Sequence, residues 1–391
     1  MDIRAILLIG GATSVEGLTS ESIGGVPIAC LDALGLTVAE RVLRRLCHFG
    51  IHHTTLIGDT GGAIPLSHLA ELHHRLHTVP ASGDQLWETA EEVFQQHAAD
   101  GAELILALRV GPYVELDYEE MIQHHLDHHC PVSMAVDAQN SSLEIFVLDA
   151  SGRLDARELF QSHLQRRRRE CEPFQVKGYV NRLQKAADLR RLSVDGLLAR
   201  NAIHPEGTEI KPGVFVGRGA RIHRKARVVA PAFIGARSKV HASALITRGS
   251  VIEQHSEVDC GTVVENSTLL PFTRLGAGLD VMHSVVGFRR LAHLVRNVEV
   301  EISDKKIVDL VPLSPVSRLA GSTAALFAFL PKQICRGFSA ASHRQSSATG
   351  PECLEAGKSV LNTPALESPA SGAESSEFPS TLAVVRRYGD H

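Results

Sequence analysis

No run in this 391-residue chain is apolar for long enough to span a membrane. Paired cysteine spacing is missing too. Seven cysteines occur without a C-x-x-C, which speaks against a zinc-finger framework and for a reducing, cytoplasmic setting. Charge of one sign is not in excess: 40 Lys and Arg stand against 44 Asp and Glu, for a net charge of -4. That balance removes the electrostatic footprint of a nucleic-acid binder. The run Arg166 to Arg169 beside Glu170 and Glu172 reads as a solvated helix face. The opening apolar segment is too short for a signal peptide and reads as a buried strand.

What is present is a repeat. Stepping by six from Ile210 gives Val216, Ile222, Val228, Ile234, Val240, Ile246, Ile252, Val258, Val264 and Leu270, every one aliphatic. Eleven apolar residues in fixed register arise by chance about once in two thousand trials. Ten of the eleven are followed four residues later by a small or short side chain: Val214, Ala220, Ala226, Ala232, Ser238, Ala244, Ser250, Ser256, Thr262 and Thr268. A six-residue period fits no helix, and Pro212, Gly213, Gly217, Gly219, Pro231 and Gly235 would break one. Short strands joined by corners do fit, with one aliphatic per face pointing into a narrow prism. The small residue belongs at the corner, where bulk has no room. Such coils bury a core only by stacking. The spacing resembles the hexapeptide-repeat family, and that resemblance implies three hexapeptides per coil and a left-handed coil.

Upstream, apolar runs alternate with helical patterns. Strands are expected at 5–10, 54–57, 104–108, 132–136 and 143–148, and helices at 37–48, 65–77, 86–98 and 119–129. Alternation of this kind predicts a mostly parallel sheet covered on both faces. The expected plan is an α/β domain over 1–200, a left-handed parallel β-helix over 203–287, a strand and helix extension over 288–335, and a disordered tail over 336–391. The tail is rich in Ser, Pro, Ala and Glu. Residues 319–330, apolar and flanked by Arg318, Lys332 and Arg336, fit a helix packed on the solenoid or on a partner. They also fit a helix lying on an anionic membrane surface.

An α/β domain opening on strand–Gly-Gly and joined to such a solenoid resembles the sugar-nucleotide pyrophosphorylases, above all the mannose-1-phosphate guanylyltransferases. Three further segments carry the likeness. They are residues 37–51 as the first long helix, 104–121 around the family's Gly-Asp metal motif, and 178–189 leading into the solenoid. The resemblance implies attack of a sugar 1-phosphate on the α-phosphorus of a nucleoside triphosphate, assisted by Mg²⁺. It assigns nucleotide contacts to Gly10, Gly11, Ala12 and Thr13, and substrate contacts to Gly178 and Tyr179.

The departures from the family pattern all fall on phosphate or metal contacts. Thr13 replaces the later glycine of the Gly-Gly-x-Gly-Thr-Arg loop, and Val15 replaces its arginine. No Pro-Lys-Pro turn follows. The metal aspartates read Pro112, which has no donor, and Arg182, a permanent cation. The expectation is therefore a degenerate domain that binds a nucleotide or nucleotide-sugar without a magnesium cofactor and without catalytic residues. Within this broader family, silent regulatory subunits pair with active ones, so a homo-oligomer or an assembly with an active homologue is implied. An active nucleotidyltransferase using non-standard residues is the first alternative.

A second alternative, of another class, is acyl transfer on the solenoid, with His223, His241, His255 or His283 as general base. Long loops expelled from the coil, typical of acyl-acceptor sites, are missing between 210 and 270. His124, His125, His128 and His129 form two i,i+4 pairs, read as a surface cluster, as are His73, His74 and His77. Cys130 reads as a small buried hydrophobe.

Overall fold

The computed structural model describes residues 1–9, 22–23, 26–58, 75–81, 85–151, 172–311 and 385–387. Residues 10–21, the arginine run at 166–169, His73 and His74, the 319–330 stretch and nearly all of the tail lie outside these residues. Among the described residues no helix is long and apolar enough to cross a membrane.

The first half is an α/β unit. Strands β1 (Ile3–Ile9), β2 (His53–Gly58), β3 (Arg75–Pro80) and β4 (Leu104–Arg109) run parallel to one another. The short pair β5 (Tyr113–Val114) lies apart from them. Then come β6 (Val132–Val136), β7 (Ser142–Asp149) and β8 (Phe174–Gln175). The seven-stranded order is β8-β6-β7-β4-β1-β2-β3, and only β7 is antiparallel to both its neighbours. Ala5 to Ile9 are buried because β1 sits mid-sheet with both faces covered. Helix α1 (Val38–His48) starts from a Thr37/Glu40 capping box. Together with α3 (Tyr118–His128) it covers one face, while α2 (Leu86–Ala99) seals Leu86, Ala90 and Phe94 against Ile6, Leu8 and Ile105 on the other. The expected helix over 65–77 is corrected at its end, since residues 75–77 belong to β3. This edge strand leaves Leu76 and Val79 only half-buried, so its apolar signal is weak.

The second half is a stack of short strands in three sheets, consistent with a parallel β-helix. One face carries Val214–Val216, Ala232–Ile234, Val251–Ile252, Thr268–Leu269 and Ser284–Gly287 in sequence, all parallel. The second carries Arg221–Ile222, Lys239–Val240, Glu257–Val258 and Thr273–Leu275, and the third Arg227–Val228, Leu245–Thr247, Val263–Glu265 and Leu279–Met282. Val216, Ile234 and Ile252 stack at the predicted interval, as do Val240 and Val258.

The period is corrected at both ends. Ile210 stands 53% exposed on Thr208–Lys211, an antiparallel strand that caps the first coil. After Asn266 the coil shortens by one residue, so Leu269, not Leu270, stacks on Ile252. Leu270 turns instead toward the core shared with the α/β unit. Antiparallel strands close the far end of each face: Arg290–His293, Val308–Leu310 and Val385–Arg387. The last of these belongs to the tail expected to be disordered. Capping blocks the open sheet edges that a bare solenoid would expose.

The corner residues do more than save space. Ser238 Oγ donates to Glu253 O (2.8 Å) and accepts from Ser256 N (3.1 Å); Ser256 Oγ donates to Leu270 O (2.9 Å) and accepts from Thr273 N (3.3 Å). A second column runs Ser250, Ser267 and Ser284 in the same manner. All these side chains are buried, so each hydroxyl satisfies backbone groups that water cannot reach.

The two halves are pressed together over one core. Leu34, Leu192 and Ile203 pack with Phe233, Val251 and Leu270. On helix α4 (Ala186–Leu197), Arg190 reaches Gly249 O (2.7 Å) and Asn266 Oδ1 (2.9 Å) across the junction. Burial pulls its guanidinium down to about 10. From the other side, the buried Glu253 carboxylate accepts from Leu34 N (2.8 Å) and Gly35 N (3.0 Å). Gly35 has φ +94°, a left-handed conformation that exposes its amide to that carboxylate.

Candidate functional site

In an open parallel sheet, ligands sit beyond the carboxyl ends of the strands. Here those ends are Ile9, Gly58 and Arg109, with β1 central and flanked by β2 and β4. Gly10, Gly11, Ala12 and Thr13, which follow Ile9, lie outside the described residues. At the end of β4, Arg109 Nη1 pairs with Glu144 Oε2 at 2.9 Å. Next along the chain, half-buried Pro112 contributes no polar side chain, and Tyr113 turns its hydroxyl to Glu115 (3.3 Å). Burial, then the Glu115 charge, pushes the Tyr113 phenol upward.

Strand β5 pairs antiparallel with β9 (Val180–Asn181), which brings 178–182 beside 112–115. Glu115 N donates to Tyr179 O at 2.8 Å, and a Cβ on Gly178 would lie 2.0 Å from Glu115 O. Gly178 is therefore demanded by backbone contact. Tyr179 is half-buried and its hydroxyl donates to Asp195 Oδ2 (2.8 Å).

Arg182 donates from Nε (3.2 Å) and Nη2 (2.5 Å) to Asp137 Oδ2. Asp137 Oδ1 accepts from Gln139 N and Ser141 N, both 2.9 Å. Desolvation would raise the Asp137 carboxyl, but the Arg182 hydrogen bond and those two amides outweigh it and hold it below its ordinary range. Other nearby carboxylates are also engaged. Asp188 caps α4 by accepting from Gln184 N and Lys185 N (3.1 Å each), and Asp195 holds Tyr179.

At the two positions where the resemblance implies magnesium ligands, neither side chain offers a donor to a metal. One ligand position is a proline, the other a guanidinium already neutralised by a carboxylate. The structure thus brings Pro112, Gly178, Tyr179 and Arg182 into one neighbourhood, and that neighbourhood is held by its own ion pairs. Sequence reasoning missed Asp137, which directly follows β6, and Glu144, which lies within β7; no local motif marks either.

The remaining sequence candidates separate. His124 and His128 stack at 4.1 Å, but His125 is buried and bonded to Ser133 Oγ (2.9 Å), and His129 closes α3 in the left-handed region. The reading of one solvated four-histidine cluster is corrected accordingly. Cys130 is half-exposed and disulfide-bonded. That corrects its reading as a buried hydrophobe.

In the solenoid, His255 stacks on Phe272 (4.8 Å), and burial, then Arg237, pulls it down to about 4. His223 accepts from Lys225 N (3.1 Å), and His283 lies 2.6 Å from Asn266 Nδ2. Only His241, among these four, meets a carboxylate: Nε2 lies 2.6 Å from Glu257 Oε1.

Compared with known proteins, the chain matches no protein-family model and no curated protein.

Proposed function

We propose that this chain is a sugar-nucleotide pyrophosphorylase-like protein that binds a nucleotide or nucleotide-sugar and acts by binding in place of catalysis. Its second half is, in this reading, a left-handed β-helix that serves as an assembly surface for copies of itself or for an active homologue. The single observation that carries the reading is the Arg182–Asp137 ion pair. It stands where the resemblance puts a metal ligand, and it uses up a cation and a carboxylate that phosphoryl transfer would need free. Loss of the metal alone removes several kcal/mol of transition-state stabilisation. The ligand's phosphates would lie at the amides following Ile9, where the carboxyl end of β1 opens between β2 and β4.

The test is a thermal-shift panel of GTP, GDP-mannose, dTTP and UDP-glucose on the full chain. A concentration-dependent stabilisation by one of them supports the reading, and no shift with any removes it. Acyl transfer keeps one observation, the His241–Glu257 contact. The coils offer it no expelled loop: successive rungs are 18 or 17 residues apart throughout.

A further inference from the structure

Solenoid stacking places residues one coil apart directly above one another. Val240 pairs with Val258, so the residues that follow them, His241 and Asp259, occupy the same position on adjacent rungs. The backbone confirms the stacking: His241 N donates to Val258 O (2.9 Å) and Asp259 N to Leu275 O (3.1 Å). Cys260 comes next, at the corner before Gly261 (φ +71°). One imidazole nitrogen of His241, one carboxylate oxygen of Asp259 and Cys260 Sγ all lie within 4.8 Å of one another. Among the described residues this is the one such group of three. Cys260 is exposed and the other two are half-buried, so an ion has access from solvent.

The donor set decides which ion. Thiolate, imidazole and carboxylate together suit zinc and its neighbours, whereas magnesium and calcium take oxygen alone. Metal–ligand bonds of about 2.0–2.3 Å put the donors of a tetrahedral ion about 3.5 Å apart, a closure of roughly 1 Å from the present arrangement. Glu257 adds what a histidine ligand usually has, a carboxylate on the ring. With Oε1 2.6 Å from Nε2, a proton on Nε2 leaves Nδ1 its lone pair. Asp259 also accepts from Arg274 Nη2 (3.2 Å) and Cys260 N (2.8 Å), contacts that fix its direction.

We propose that His241, Asp259 and Cys260 form a binding site for a zinc-type divalent ion on the outer face of the solenoid, with Glu257 orienting His241. Binding releases the Cys260 thiol proton to solvent as the sulfur–metal bond forms, and leaves the fourth coordination position open to water. The site belongs to the solenoid alone and does not depend on nucleotide binding by the α/β unit.

The experiment is titration of the full chain with Co²⁺ under a non-thiol reductant, read by absorbance. One Co²⁺ per chain should give a thiolate-to-cobalt charge-transfer band with tetrahedral ligand-field absorption, and excess Zn²⁺ should abolish both. Cys260→Ser should remove the charge-transfer band, while Cys47→Ser, at the other described His–Cys contact (3.6 Å to His52), should keep it. Glu257→Gln should weaken affinity about 10- to 100-fold. In the unaltered chain, Zn²⁺ should also slow alkylation of Cys260, a readout that needs no variant to fold. Absence of the band, its survival in Cys260→Ser, or alkylation of Cys260 at an unchanged rate overturns the site.

Discussion

Arg182 closes on Asp137 with two donors to a single carboxylate oxygen, while the other oxygen takes two backbone amides. The pair joins the β9 segment to the turn after β6, and it makes Arg182 a structural cation. Arg182→Ala should cost about 1–2 kcal/mol, at the low end for charge-assisted bonds because the arginine is part-exposed. The pH dependence has a definite sign. A carboxyl held below its ordinary value contributes stability above its unfolded pKa and loses it as pH falls through the folded one. The difference between Arg182→Ala and the parent in urea melts should therefore be full at pH 7 and shrink on acidification below the ordinary aspartate range.

Glu253 predicts the opposite slope. Burial pushes it up to about 7 against the two amides and Arg41 that favour its charge, while neighbouring Asp32 is raised by burial and by the Glu253 and Glu40 charges. A raised carboxyl gives stability that is complete below the unfolded value near 4.5 and is lost as pH rises toward 7. Unfolding free energy should fall across that window. Glu253→Gln should flatten the fall, at the cost of one of the two accepted amides. A pH series of denaturant melts checks this, and an unchanged slope in the variant would reject it.

The serine ladder makes a narrower forecast. Ser256→Ala removes the acceptor of Thr273 N and the donor to Leu270 O at a buried position. The loss should be about 1–3 kcal/mol, the usual cost of stranded buried polar groups. Ser243→Ala, near a corner but in no such column, should cost far less. Chemical denaturation of the two variants side by side decides it.

Much of this fold can be read from the chain because geometry writes itself into spacing. One interior aliphatic per face of a three-sided coil leaves a period of six, and β1 shows as an apolar run because both its faces are covered. The shortened coil after Asn266 leaves no mark in the sequence because Leu269 and Leu270 both satisfy the pattern, one turned inward and one toward the neighbouring unit. Glu253 and Leu34 lie 219 positions apart, and nothing local marks either as a partner. Cys260 and His241 show the same limit: the 18-residue step that joins rungs puts His241 over Asp259, but no linear motif announces it.

The central claim, binding without transfer, is tested most directly by calorimetric titration of the best-binding nucleotide-sugar, once with Mg²⁺ and once with a chelator, alongside a pyrophosphate-release assay with the matching triphosphate and sugar 1-phosphate. Equal affinity in both titrations and no pyrophosphate are expected. Pyrophosphate release that requires Mg²⁺ would contradict that claim.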